Sequence, residues 1–369
     1  MVNSTYIQVF LFVSGLAVGI TATAVLTVLV KRLALRWNLV DNPNHRSVHS
    51  KPIPRVGGIA IVGGFIVGLT YFYMLQLIVE DFAWIIDFPS KWILLGAGMM
   101  FLLGLVDDVL HLKARVKLFF QALAAFIVVG AGYRFEIPFL QFQDMGTLNT
   151  IISGGITFLW IIGIINAVNL MDGMDGLAAG MGVIAVSSLS IALALNGYGS
   201  DIVLVTAFVA ALVGFLVYNT HPASIFMGDS GSLFLGFILA TFALPTSGMP
   251  VGGLSYLVPI LALGLPILDT ATAIFRRASQ GKGVFTADRD HIHHRILQKT
   301  GQKQRSAVFA LYAVNVVFGV MAILILTSQA FAQVALILSL TAIFCLLFLL
   351  KLGYIQIKQE SPLKDSQAH

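Results

Sequence analysis

Charge is what this chain has least of. Asp, Glu, Lys and Arg make up 11% of its 369 residues, against roughly 25% in an average soluble domain, while hydrophobic residues reach 58%. No soluble core could hide that much apolar surface, so the lipid bilayer is read as the main solvent. Cysteine is almost missing as well. Cys345, inside an apolar run, is the only one, which excludes a disulfide framework and a cysteine-based metal site. No internal repeat is evident, which counts against an inverted-repeat transporter. The net charge of +5 lies between apolar spans rather than on a soluble module, so nucleic acid is not expected as a partner.

What is present is a succession of apolar runs long enough to cross a membrane, about 20 residues each. They predict an all-α, polytopic membrane protein of about eleven spans: roughly 7–30, 56–79, 91–106, 118–132, 150–168, 177–195, 202–218, 233–249, 254–275, 307–327 and 331–350. The first lacks a basic start and runs into Lys31 and Arg32, so it reads as a retained span, not a signal peptide. Residues 1–357 are expected to form one membrane domain, and 358–369 a polar, disordered tail.

Alternate connections hold 20 of the 22 Lys and Arg, and only Lys91 and Arg134 fall on the other side. Basic residues stay preferentially in the cytoplasm, which predicts the N-terminus outside and the C-terminus inside. All eight histidines then fall on the inner side. They were not used to set the orientation, so they support it independently.

Four inner motifs could carry chemistry. Asp107-Asp108 ends the third span; adjacent carboxylates repel unless a cation or a proton relieves them, although a solvated loop with ordinary ion pairs would also serve. Asn166, Asn169, Asp172 and Asp175 recur every three residues before Gly176, a spacing that could line one pocket. Asp229, between Gly228 and Ser230-Gly231, precedes an apolar helix. There the backbone amides could face a phosphate and the carboxylate could hold Mg²⁺, with a simple helix cap as the alternative. Arg289, His291, His293, His294 and Arg295 form a dense array of donors in the longest inner loop. A diphosphate or sugar suits them better than zinc, since no cysteine supports a zinc site. Two weaker signals are the basic segment 44–58, including Lys51 and Arg55, which could equally attract lipid headgroups, and the intramembrane Asp269, functional or paired with a residue such as Arg276.

Together these motifs resemble the polyprenyl-phosphate N-acetylhexosamine-1-phosphate transferases. The resemblance spans about 41–305 and rests on Asp107-Asp108, Asn169-Leu-Met-Asp172-Gly-Met-Asp175-Gly, Phe226-Met-Gly-Asp229-Ser-Gly-Ser and His291-Ile-His293-His294. The His-x-His-His form is similar to the branch that starts O-antigen, enterobacterial common antigen or teichoic acid chains, rather than to the branch that serves peptidoglycan.

The resemblance implies transfer of GlcNAc-1-phosphate from a UDP-sugar to undecaprenyl phosphate, releasing UMP, at the cytoplasmic face of a bacterial inner membrane. It implies Mg²⁺, or Mn²⁺ in its place, on Asp229 and Asp172. Asp107 or Asp108 would deprotonate or orient the lipid phosphate, and Lys117 would hold its charge. Phe226 would lie on the uracil, with Asn169 and Asp175 at the nucleoside and Lys51 nearby, while Arg289, His291, His293 and His294 would hold the diphosphate or sugar. Another UDP-amino sugar, or transport of a polyprenyl-linked sugar, are the alternatives, and a homo-oligomer is left open.

Overall fold

The structure is a computed structural model that describes residues 4–43, 51–78, 91–137, 145–195, 202–248, 254–281, 290–328 and 330–354. The polar tail and Arg289 lie outside the described residues, as does the 44–50 part of the first inner segment.

The described chain is helical apart from one two-stranded ribbon. In order come α1 (Ser4–Arg36), β1 (Val40–Asp41), β2 (Ile53–Pro54), α2 (Gly58–Ile78), α3 (Lys91–Leu110), α4 (Ala114–Gly130), α5 (Gly146–Met171), α6 (Leu177–Leu195) and α7 (Ile202–Asn219). They are followed by α8 (Gly228–Phe242), α9 (Leu244–Ser247), α10 (Leu257–Ala262), α11 (Gly264–Ser279), α12 (Ile292–Lys299), α13 (Gln304–Thr327) and α14 (Phe331–Leu352). Among the described residues nine helices are long and apolar enough to cross a membrane. The other two expected spans differ. α4 has 17 residues, about 26 Å of helix at 1.5 Å per residue. Residues 254–275 form two helices that meet at Leu263, which caps both.

α8 is the hub, with every residue from Gly228 to Phe242 buried. Its ends differ from the sequence reading in an important way: the helix starts at Gly228, so Asp229 and Ser230 sit in its first turn rather than ahead of it. Lipid gives helices no hydrophobic reason to associate, so close backbone packing through small residues must supply the attraction. Gly104 of α3 lies so near that a Cβ there would come within 2.2 Å of the Asp229 carbonyl oxygen. Gly58 of α2 would similarly meet the Gly231 nitrogen at 2.3 Å. The start of α2, the last turns of α3 and the start of α8 are thereby held backbone to backbone.

The ribbon extends this clamp. Val40 pairs with Pro54 and Asp41 with Ile53, and the Phe226 N–H donates to the Pro54 carbonyl at 2.8 Å. In return Gly57 and Gly58 donate to the carbonyls of Phe226 and Met227 at 3.0 and 2.8 Å. Segments some 170 residues apart in the chain therefore run side by side at the mouth of the bundle.

Candidate active site

At one end of the helix bundle lies a cavity of about 950 Å³. Lys51, Lys117, Asn169, Asp172, Asp175, Phe226, Asp229 and His294, all expected as site residues, line it. Segments far apart in sequence thus meet at one place.

Asp229 is the most heavily bonded group there. Its Oδ1 accepts from Asn169 Nδ2 at 3.1 Å and faces an Arg55 guanidinium nitrogen at 3.4 Å. Its Oδ2 accepts from Lys117 Nζ at 3.0 Å. Asn169 also donates to Ser232 Oγ at 2.8 Å, which keeps its amide aimed across α8. Lys117 has a second anchor in Asp107 Oδ2 at 2.9 Å. It sits between two carboxylates, an arrangement that holds it as an ammonium ion.

Asp107 and Asp108 stand behind Asp229 and do not line the cavity. Asp107 takes the Leu112 N–H at 2.6 Å as well as Lys117, and so closes the α3–α4 turn. Asp108 accepts the backbone N–H groups of Asp229 and Ser230 at 2.7 and 3.0 Å, with its side chain fully shielded from solvent. The amides expected to face a phosphate are therefore occupied by a carboxylate from α3. A helix leaves its first N–H groups unpaired, and an anion at that end is favoured by the helix dipole.

Asp172 follows the end of α5 and accepts no hydrogen bond among the described residues. It keeps some opening to the cavity, but protein encloses it on its other sides. That burial, reinforced by the negative Asp229 and opposed by Arg55, holds its carboxyl well above the usual carboxylate range. The spacing of three does not bring all four polar groups together: Asn166 turns away from the cavity, donating to Gln121 on α4 at 2.8 Å and to the Ile162 carbonyl.

The histidine loop is built by the same device as α8. Asp269, fully buried on α11, accepts the Ile292 N–H at 2.5 Å and pairs with His291 Nδ1 at 2.9 Å, so its partners are the start of α12 rather than Arg276. His293 is stacked against His291 at 5.7 Å and 13°. It rests on Gly173, where a Cβ would come within 2.7 Å of its Nε2. Burial pushes its imidazole down to about 3, with Asp269 pulling the other way, so it is neutral at physiological pH. Of the three histidines only His294 lines the cavity; His291 and His293 lie behind it. Among the described residues no three His, Cys, Asp or Glu side chains group as a metal cluster.

Arg55 and His221 were not singled out as site residues. Arg55 lay in a segment whose charge also suited lipid headgroups, and His221 carried no spacing signal. The pairing of β2 with Phe226 brings the first to Asp229, and a bond to Asp175 fixes the second.

Comparison with known proteins bears on this arrangement. Residues 91–247 match the family model described as glycosyl transferase family 4. A Bacillus subtilis protein named a probable undecaprenyl-phosphate N-acetylglucosaminyl 1-phosphate transferase is 36% identical, over 91% of this chain and 89% of its own. The decaprenyl-phosphate N-acetylglucosaminephosphotransferase of Mycolicibacterium smegmatis is 33% identical over 80% and 78%. The undecaprenyl-phosphate alpha-N-acetylglucosaminyl 1-phosphate transferase of Escherichia coli K12 is 26% identical over 83% and 79%.

Proposed function

This chain belongs to glycosyl transferase family 4, and from that premise we infer that it transfers GlcNAc-1-phosphate from a UDP-sugar to undecaprenyl phosphate, releasing UMP. The observation that carries the reading is the cavity itself: several carboxylates, the fixed cations Lys117 and Arg55 and an aromatic ring meet at the end of a membrane bundle. Transfer joins two anions, so attack by the lipid phosphate on the sugar-linked phosphorus requires their repulsion to be reduced beforehand.

Lys117 and Arg55 supply that positive field and are themselves held in place by Asp107, Asp108 and Asp229. Little covalent work is left to the protein, and alignment of the acceptor oxygen with the phosphorus supplies much of the rate. Asp108 acts through α8, seating Asp229, and the proton-accepting role falls to a group open to the cavity.

The donor set suits Mg²⁺. A hard cation of this kind takes one or two carboxylates and fills its other positions with water and substrate phosphate oxygens. Asp172 has no competing hydrogen bond, and Asp229 retains lone pairs, since a carboxylate offers about four acceptor sites. These two residues would hold the ion, which when bound would neutralise charge on the diphosphate. The raised carboxyl of Asp172 supports the assignment, because a nearby cation would favour its ionised form.

Phe226 on the cavity wall would take the face of the uracil, with Asp175 and Lys51 beside it. His294 would reach the diphosphate or sugar, supported from behind by His293 and His291; Arg289 is assigned there by family resemblance. The topology we propose has eleven crossings, with α4 and the α10–α11 pair completing the nine long helices. In it the N-terminus is outside, and the cavity opens to the cytoplasm of the bacterial inner membrane.

The test is direct. Purified protein incubated with UDP-GlcNAc, undecaprenyl phosphate and Mg²⁺ should give UMP and a lipid-linked diphosphate sugar, and Asp229→Ala should abolish both while remaining folded. Formation of neither product by the wild type would refute the reading.

A further inference from the structure

Asp175 and His221 form a pair on the cavity wall whose geometry specifies more than contact with a nucleoside. Asp175 Oδ2 carries two donors, His221 Nδ1 at 2.7 Å and the Ala223 N–H at 3.1 Å. Its Oδ1 has no hydrogen-bond partner among the described residues, and both side chains line the cavity. An ionised carboxylate only accepts, so the His221 proton lies on Nδ1 and is committed to Asp175.

The two loops that carry this pair are cross-tied. Asn219 accepts the Gly176 N–H on Oδ1 at 3.0 Å and donates Nδ2 to the Ile225 carbonyl at 2.9 Å. Arg305, on the first turn of α13, donates to the His221 carbonyl at 2.8 Å. Tyr312 of α13 reaches the Gly176 carbonyl at 2.6 Å. Asp175 is thereby held in rotation as well as in position, with one oxygen occupied and the other presented.

We propose that His221 is a positioning residue for the base of the donor: by occupying Asp175 Oδ2 it presents Oδ1 as a fixed acceptor for the imide N–H of uracil. The inference rests on the transferase reading above and adds a source of base selectivity to it. Cytosine has a lone pair where uracil has that N–H, so it would set acceptor against acceptor. A site built for a hydrogen bond rejects an analogue that cannot make it more strongly than an apolar pocket does. Acceptor geometry matters only if the carboxylate cannot swing, and this is the part His221 supplies.

The experiment measures binding of UDP and of CDP to the full-length protein by calorimetry, alongside the donor KM and kcat of transfer. In His221→Ala the Kd for UDP should rise about tenfold, in the range expected for a hydrogen bond to a charged group. The Kd for CDP should change little, so selectivity collapses while kcat at saturating donor is kept. His221→Asn, whose amide can replace the Nδ1–H, should restore most of the selectivity. Should the alanine variant fail to fold, His221→Phe keeps the ring volume without the donor and should show the same loss. An unchanged UDP-to-CDP ratio in the variant without a donor, or an asparagine variant no better than it, overturns the inference while leaving the transferase reading intact. A wild type that binds neither nucleotide overturns that reading and the inference with it.

Discussion

Asp108 accepts the backbone N–H of Asp229 at 2.7 Å, so one acid of the site is spent on seating another. The second bond, from Ser230 at 3.0 Å, makes the carboxylate of α3 the cap of α8. A charged group shielded from solvent has to be paired, and the helix start is paired by the same contact.

Asp108→Ala should therefore behave as a stability variant as well as an inactive one. It leaves two buried amides without an acceptor, at a cost of about 1–3 kcal/mol each. Thermal unfolding in detergent should show the loss, with Asp108→Asn intermediate because its amide oxygen can serve one N–H. A wild-type melting temperature in the alanine variant would remove the capping role.

Asp172→Asn should separate activity from stability in the other direction. The Asp172 carboxylate accepts no hydrogen bond among the described residues and is opposed by Asp229. Neutralising it relieves that repulsion, so the melting temperature should hold or rise. Transfer should drop at least about a hundredfold, the scale for losing one electrostatic contributor at a reacting phosphate. Activity within a few-fold of wild type would show that the metal does not need this residue.

His293 predicts a pH dependence of stability. Its imidazole is neutral in the fold down to about 3, while the ordinary value in an unfolded chain is near 6.5. Between those values the unfolded state binds a proton that the folded state refuses, so stability falls as pH falls from 6.5 toward 3. The slope for one such group is about 1.4 kcal/mol per pH unit. His293→Gln, which does not titrate, should flatten that limb in melting curves taken from pH 7 to pH 4. An equally steep limb in the variant would assign the acid sensitivity elsewhere.

Tyr354 should tune the histidine loop from outside the cavity. The Arg295 guanidinium lies 3.7 Å above its ring, its hydroxyl donates to the Asp290 carbonyl at 2.8 Å, and Arg295 forks onto the Asp290 carboxylate. The end of α14 is thus tied to the start of α12. Tyr354→Ala removes a contact worth about 0.5–2 kcal/mol together with the hydroxyl bond. Amide exchange in 292–299 should speed up and the donor KM should rise about threefold or more, while Tyr354→Phe should keep the stack and most of the effect. Unchanged exchange in the alanine variant would show that α12 stands without this tie.

Membrane character and most of the acids, amides and basic residues of the cavity were legible in the chain itself. Composition and apolar run length are local properties, and the cost of charge in lipid forces them to be visible. The division of labour among the polar residues was not legible. Asp108 was expected to serve the lipid phosphate and Asp229 the metal, but the glycine-mediated approach of α3 to α8 aims the first at a helix end and leaves the second on the cavity. Asn166 and Asn169 looked alike by spacing, yet α4 takes the first and α8 the second. Arg55 reaches Asp229 only because β2 runs beside Phe226. Hydrogen bonds between distant segments depend on which backbones come within about 3 Å of each other, and packing alone decides that.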